Sequence, residues 1–454
     1  MRVCKIELAA GLLLAVAGLL ACFPAQAQEQ DDSQIELAIT IIGDADRETR
    51  AIGLQLVREG LPGEAVTLKL ADLLPKLVPA AQAELMDALA DRADAAARPA
   101  VLKMVESSDE TVAAAALRAL GSLGSSAEVP LLAQKVAGES TLQKAAAQQS
   151  LVRLRGDGID EAIVAAVTGG EPNVRVALLG VLAGRNAKST MPSILKSTED
   201  SEASVRLAAI GALRYLADES QTAVLVGLVK AAKDEAERRK AELTLLSVCS
   251  RGRQACADAL IAGMADADAP TRIVLLHALA RAGGPQALDA LVARLKDDDP
   301  AVRLDAVRTL AIWPDRAVAP RLVELAKSSD PREAVLAVRG LVRLAGPGEE
   351  LPADPKLFAE AMGLAKRPQE KLLVVGSAGG SASPQLLGLL ASALDDPALT
   401  EAAGLAAVTL VEKLVADKAE GVDQGEIRSV MEKVGKSVKN EQVRQRAQKV
   451  VKAS

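Results

Sequence analysis

DDDPAVRLDAVRTL (297–310) decides the fold. Asp299 stands before Pro300 and a run in which Val302, Ala306, Val307 and Leu310 recur at helical spacing. An Asp at that place caps free helical amides. Pro fits the first turn, where no amide donor is needed. The apolar positions form one stripe of an amphipathic helix. The acidic stretch therefore predicts a turn, and PAVRLDAVRTL the helix it opens.

The pattern recurs. Taking Arg303 as anchor, equivalent places fall at Arg50, Gln82, Ala113, Lys144, Arg175, Arg206, Arg239, Arg272, Ala334, Lys371 and Thr400. Most steps are 31 to 33 residues, with a 37 and a 29 near the end. Each unit also holds an earlier helix, such as QALDALVARL (286–295), in front of its turn. One such pair cannot bury its apolar stripe alone, whereas stacked pairs bury a continuous core. The anchor arginines are placed to bond the acidic turns of adjacent units.

Composition agrees. Half of the residues are hydrophobic, yet only Tyr215, Trp313 and Phe358 are aromatic after residue 27. A core of Ala, Leu and Val follows, and Ala and Leu favour helix. No β-branched or aromatic run alternates with period two, so the chain reads as all-α. The expected fold is a right-handed α-solenoid of about twelve helix pairs over 34–415. A flexible leader at 28–33, a loop or linker at 416–425 and a C-terminal helical cap at 426–454 complete the organisation. GPGEELPADP (346–355) is an insertion that explains the 37-residue step.

Residues 1–27 read as a secretory signal peptide. Two cations precede an apolar run, and Ala25-Gln26-Ala27 offers a small-x-small cleavage pattern. The alternative is a lipoprotein, because Leu19-Leu20-Ala21-Cys22 resembles a bacterial lipobox. The chain is then exported to the periplasm or cell envelope, touching a membrane only if Cys22 carries a lipid. The whole chain has charge −6, and the leader's Arg2, Lys5 and Glu7 leave −7 on the remainder. Mild acidity argues against generic nucleic-acid binding.

The units DDDPAVRLDAVRTL, EPNVRVALLGVLAG and SEASVRLAAIGALRYLAD resemble HEAT repeats, of the short HEAT-like kind first associated with phycobilisome lyases. The resemblance implies Val-Arg helices lining a concave side. It leaves function open, since such repeats serve scaffolds, adaptors and a few enzymes. HEAT-like deoxyhypusine hydroxylases hold two irons through repeated His-Glu pairs; this chain has one histidine, His277. A zinc site needs three or four His, Cys or carboxylate ligands, and His277 has no His or Cys in its own helix. GSAGGSASP (376–384) lacks a P-loop ending and reads as an inter-helix turn. ADADAP (265–270) lacks EF-hand spacing and reads as an acidic turn. No cofactor or metal is expected. A non-catalytic envelope scaffold for protein partners is the favoured function, and a HEAT-like enzyme or lyase-type enzyme subunit the alternative.

Two sets of residues stand out. Cys249 and Cys256 sit where one helix ends and the next begins. Export permits oxidation, and a hairpin brings such α-carbons within the bridging range of about 4.4–6.8 Å, so a disulfide is expected. Five and nine places after the anchors, a helical wheel points away from the core stripe. Arg118, Arg153, Tyr215, His277, Arg281, Arg308, Arg339 and Arg343 occupy those places, with acidic Glu59, Asp87 and Asp91 near the start. They predict a basic stripe for a protein or an acidic peptide segment.

Overall fold

The computed structural model describes residues 24–348, 351–417, 419, 421 and 423–453. The leader's apolar run, its lipobox and Cys22 lie outside them. Among the described residues there is no strand, and no helix is long and apolar enough to cross a membrane. The molecule is an all-α solenoid of consecutive helix pairs, in two compact units, 1–216 and 217–454. Thirteen pairs appear among the described residues, from Pro24–Ile42 with Arg47–Gln55 to Gln424–Ser437 with Glu441–Ala453. Two differences from expectation lie at the ends. Residues 28–33 belong to the helix Pro24–Ile42, and Gln424–Ser437 with Glu441–Ala453 makes one further pair.

Several second helices start as the sequence predicts. Asp299 accepts hydrogen bonds from the amides of Ala301 and Val302, at 2.7 and 3.3 Å. Asp109, Asp268 and Asp330 cap their helices in the same way. At ten of the anchors the amide closes the first turn on the carbonyl four residues back, as Arg50 does on Asp46, Arg175 on Glu171 and Arg303 on Asp299. Thr400 is instead the first residue of Thr400–Ala416, whose first turn Ala403 closes on Leu399. The other exception is in the tandem Arg238-Arg239. There Arg238, not Arg239, bonds Asp234 and holds the anchor place. Arg444 bonds Asn440 and is the anchor of the last pair.

Val302, Ala306, Val307 and Leu310 are all fully buried. Burying a Val or Leu side chain stabilises by roughly 1.5–3 kcal/mol relative to leaving it exposed. That stripe is shared: Pro300–Ala311 packs on Ala269–Ala282 on one side and on Pro331–Ala345 on the other. Small residues permit the close approach. A Cβ on Gly340 would lie 2.8 Å from the Ala311 Cα, and one on Gly379 would lie 2.6 Å from the Ala406 Cα. The stretch 376–384 is helical through Gly379, and the inter-helix turn expected there begins at Gly380.

The anchor side chains form a ladder. Arg303 donates to the carbonyls of Asp297 and Asp298, Arg206 to those of Asp200 and Ser201, and Arg50 to those of Asp44 and Ala45. Other rungs cross to the following turn, 25 residues on: Arg175 with Asp200, Arg272 with Asp297 at 3.1 Å, Lys371 with Asp396 at 3.5 Å. Charge-assisted bonds of this kind are stronger than neutral ones. The carbonyl bonds fix a turn to the helix it opens, and the crossing rungs fix it to the second helix of the preceding repeat.

A second set of ties joins successive helix ends. Arg92 donates to the carbonyls of Val57 and Leu61, Arg185 to Leu151 and Leu154, and Arg251 to Ala217. Arg343 donates to Ala311 (3.1 Å) and Trp313, and Lys413 to Gly380. The last carbonyls of a helix have no partner within it. Here a cation from the next second helix, 30 to 35 residues on, supplies one.

The predicted disulfide is not formed: Cys249 and Cys256 are free, buried thiols. The helix Glu235–Gly252 runs past Cys249, and Cys256 closes the following short turn Arg253–Cys256. Burial, and Cys256 beside it, raise the Cys249 thiol well above the ordinary range. Oxidation proceeds through the thiolate, and this environment suppresses it.

Candidate second-helix stripe

Packing on both sides leaves three consecutive second helices of the second unit a narrow exposed strip. Beyond the first turn of Pro331–Ala345, only Arg339 and Arg343 are exposed. Beyond the first turn of Pro300–Ala311, Arg308 and the capping residue Ile312 are. In Ala269–Ala282, Arg281 is exposed and His277 half-exposed. The sequence places these side chains in two rows with identical 31-residue steps. One is His277, Arg308, Arg339; the other, one turn further along each helix, is Arg281, Ile312, Arg343. The three helices pack consecutively within the second unit, so the rows run across them.

The charges in the rows differ in how far they are satisfied. His277 Nε2 lies 2.9 Å from Asp305 Oδ2. The approach is off the line of an aligned hydrogen bond, and that oxygen is otherwise unpartnered. Asp305 raises the His277 pKa, burial works against it, Glu242 reinforces it and Arg281 opposes it. Arg308 is 59% exposed and only 3.9 Å from Asp305 at closest, a distance too long for a hydrogen bond. Arg281 and Arg339 are exposed and make no ion pair among the described residues. Arg343 is tied to the two carbonyls described above, and partial burial lowers its pKa. Ile312, 66% exposed, is an apolar point among these cations.

The first unit carries no comparable cluster. Arg118 faces Asp87 at 3.8 Å, 31 residues before it, and Arg58 meets Asp91 at 2.8 Å. Arg153 is exposed at the end of Thr141–Arg153, and Tyr215 is 68% exposed near the end of Ala203–Leu216. Between them the equivalent places hold Gly180, Gly184 and Gly211. The structure thus brings together five of the eight predicted residues, His277, Arg281, Arg308, Arg339 and Arg343. The sequence reading missed Ile312, Asp305 and the structural tie of Arg343. Ile312 was legible as the ninth place after Arg303.

A separate concavity of about 540 Å³ in the second unit is lined by Pro355, Met362, Gln385, Ser392, Lys371 and Asp396, among others. Its two charges pair with each other. ADADAP (265–270) forms the acidic turn expected of it: Asp266 pairs with Lys230, and Asp268 caps the Thr271 amide.

Residues 159–246 and 257–341 match the family model described as HEAT repeats. These stretches, which include the helices bearing the stripe through Arg339, are HEAT repeats. No curated protein matches the chain. Among solved structures, Kap121p bound to Pho4p is similar at 13% identity, covering 90% of this chain and 54% of that one, with a TM-score of 0.47. Kap121p bound to the SUMO protease Ulp1p is similar at 14% identity, with 92% and 53% covered and a TM-score of 0.49. An engineered protein is 18% identical, with 92% and 98% covered and a TM-score of 0.32. The chain spans about half the length of the Kap121p chains.

Proposed function

We propose that this protein is a scaffold or adaptor whose second unit holds an acidic segment of a protein partner on the stripe of second helices. The observation that supports it is the pair of 31-residue rows. Arg281, Arg308 and Arg339 project there from three consecutive HEAT repeats, and Arg281 and Arg339 have no carboxylate partner among the described residues. Cations left exposed on a strip this narrow face a partner or solvent alone. Complementary charge then governs partner choice and association rate more than raw affinity. The setting proposed is the bacterial periplasm or cell envelope, on the strength of the secretory pattern in residues 1–27.

The test replaces Arg281, Arg308 and Arg339 together with Ser and compares partners recovered from envelope extracts. Loss of the partners held by the parent chain, with recovery falling as salt rises, is the expected result. Identical recovery at both salt levels would mean that the stripe is only a solvated surface. Arg343 is left intact in this variant because it holds the preceding helix end.

A further inference from the structure

Resting on that proposal, we infer that the stripe takes a polyproline II segment with an acidic residue at every third position. One cation stands on each of three consecutive helices: Arg281 on Ala269–Ala282, Arg308 on Pro300–Ala311 and Arg339 on Pro331–Ala345. Packed helices are about 8–10 Å apart, so a chain crossing them meets a new cation at roughly that interval. A polyproline II chain rises about 3.1 Å per residue with three residues per turn. It advances about 9 Å per turn and returns its side chains to the same side at i, i+3 and i+6. A β-strand has period two and turns residue i+3 to the opposite face. The repeat of this surface therefore suits the polyproline form.

Two details refine the ligand. Arg281 sits one helical turn beyond the level of Arg308 and Arg339, about 5.4 Å along the axis, so the first carboxylate approaches between Arg281 and His277. Asp305 occupies the floor beside His277 and Arg308. It repels a carboxylate placed deep and keeps the segment on the exposed guanidinium groups. Ile312, in the second row between Arg281 and Arg343, offers contact to an apolar residue following the second acid. The ligand class is thus an extended acidic segment of the form acid-x-x-acid-x-x-acid, with proline at intervening places.

The test uses labelled ten-residue peptides and fluorescence anisotropy with the full chain. One peptide carries Glu at positions 2, 5 and 8 with Pro between. A second has the same composition with the three Glu contiguous. A third replaces Glu by Lys. The spaced peptide is expected to bind about threefold more tightly than the contiguous one, the scale of a modest exposed ion pair. That advantage should vanish in the Arg308→Ser/Arg339→Ser variant, with circular dichroism used to check that the variant keeps the helical fold of the parent. Equal binding of both Glu peptides, weakened by salt and by the variant, would overturn the spacing while leaving acidic docking in place. Glu peptides that bind no better than the Lys peptide would overturn both.

Discussion

Gly340→Ala tests the close stacking on which the solenoid depends. Gly340 lies in Pro331–Ala345, and an added Cβ would sit 2.8 Å from Ala311 Cα, 2.9 Å from Leu322 Cδ1 and 3.0 Å from Ala311 O. Two of these three atoms are backbone, so the helix Pro300–Ala311 must move. Overpacking of this sort costs about 1–3 kcal/mol. Alanine's greater helix preference returns about 1 kcal/mol. Because the clash is with backbone, the packing cost falls toward its upper end, and the net loss is about 1–2 kcal/mol. Gly376→Ala is the matched control: it too lies in a second helix, but nothing stands within 4 Å of its Cβ position. It should gain up to about 1 kcal/mol. Trp313, the single tryptophan, is buried two residues beyond Ala311 and reports directly on this junction. In urea titrations followed by its fluorescence, the midpoint should fall for Gly340→Ala and hold or rise for Gly376→Ala. A midpoint that rises equally in both variants would show that the helices are not packed as closely as the structure places them.

His277, the only histidine, gives an unambiguous imidazole signal in NMR titration. Its pKa should lie above the usual value of about 6.5 and drop in Asp305→Asn. Since the folded pKa is raised, the stabilisation from its protonated form is whole below about pH 6.5 and is lost as pH climbs through the folded pKa. His277→Gln should remove that slope from stability measured across the window, and a slope left intact would place its origin elsewhere. Arg343→Met should lower the unfolding free energy by about 1–2 kcal/mol, reduced from the value for buried charged bonds because the side chain is partly solvated, and so lower the urea midpoint read at Trp313; an unchanged midpoint would deny the tie to Ala311 and Trp313. Peptides bearing Cys249 and Cys256 should take up iodoacetamide only after unfolding, and labelling of either in the native protein would contradict their burial.

How far the sequence discloses this molecule depends on which interaction carries each feature. The anchors were legible because they report local chemistry: an Asp cap, a first-turn Pro and an amide closing on the carbonyl four residues back all repeat in the chain itself. The slip at Arg238-Arg239 shows the limit of that reading. Either arginine satisfies the spacing, and only the bond from Arg238 to Asp234 selects one. The carbonyl ties of Arg92, Arg185 and Arg343 lie beyond it altogether. A cation late in a helix offsets the dipole in any case, so residue type and position do not reveal which helix end it reaches across the stack.

The same distinction separates the eight predicted stripe residues. Wheel position identifies which side chains leave the core, and it did so for all eight; it says nothing of what meets them there. Arg118 faces Asp87 of the preceding second helix, and Arg343 turns onto the carbonyls of Ala311 and Trp313. Arg281 and Arg339 meet neither. A cation is available to a partner only when the neighbouring repeat offers it no oxygen, and that is a property of pairs of repeats rather than of any one. The test for such availability is therefore to supply the missing oxygen. Arg308→Glu places a carboxylate 31 residues from Arg339, the same spacing that joins Asp87 to Arg118. It should engage Arg339 and weaken binding of an acidic peptide more than Arg308→Ser does, since it both removes one cation and occupies another. If the Glu and Ser variants bind the peptide equally well, Arg339 takes no part in the stripe.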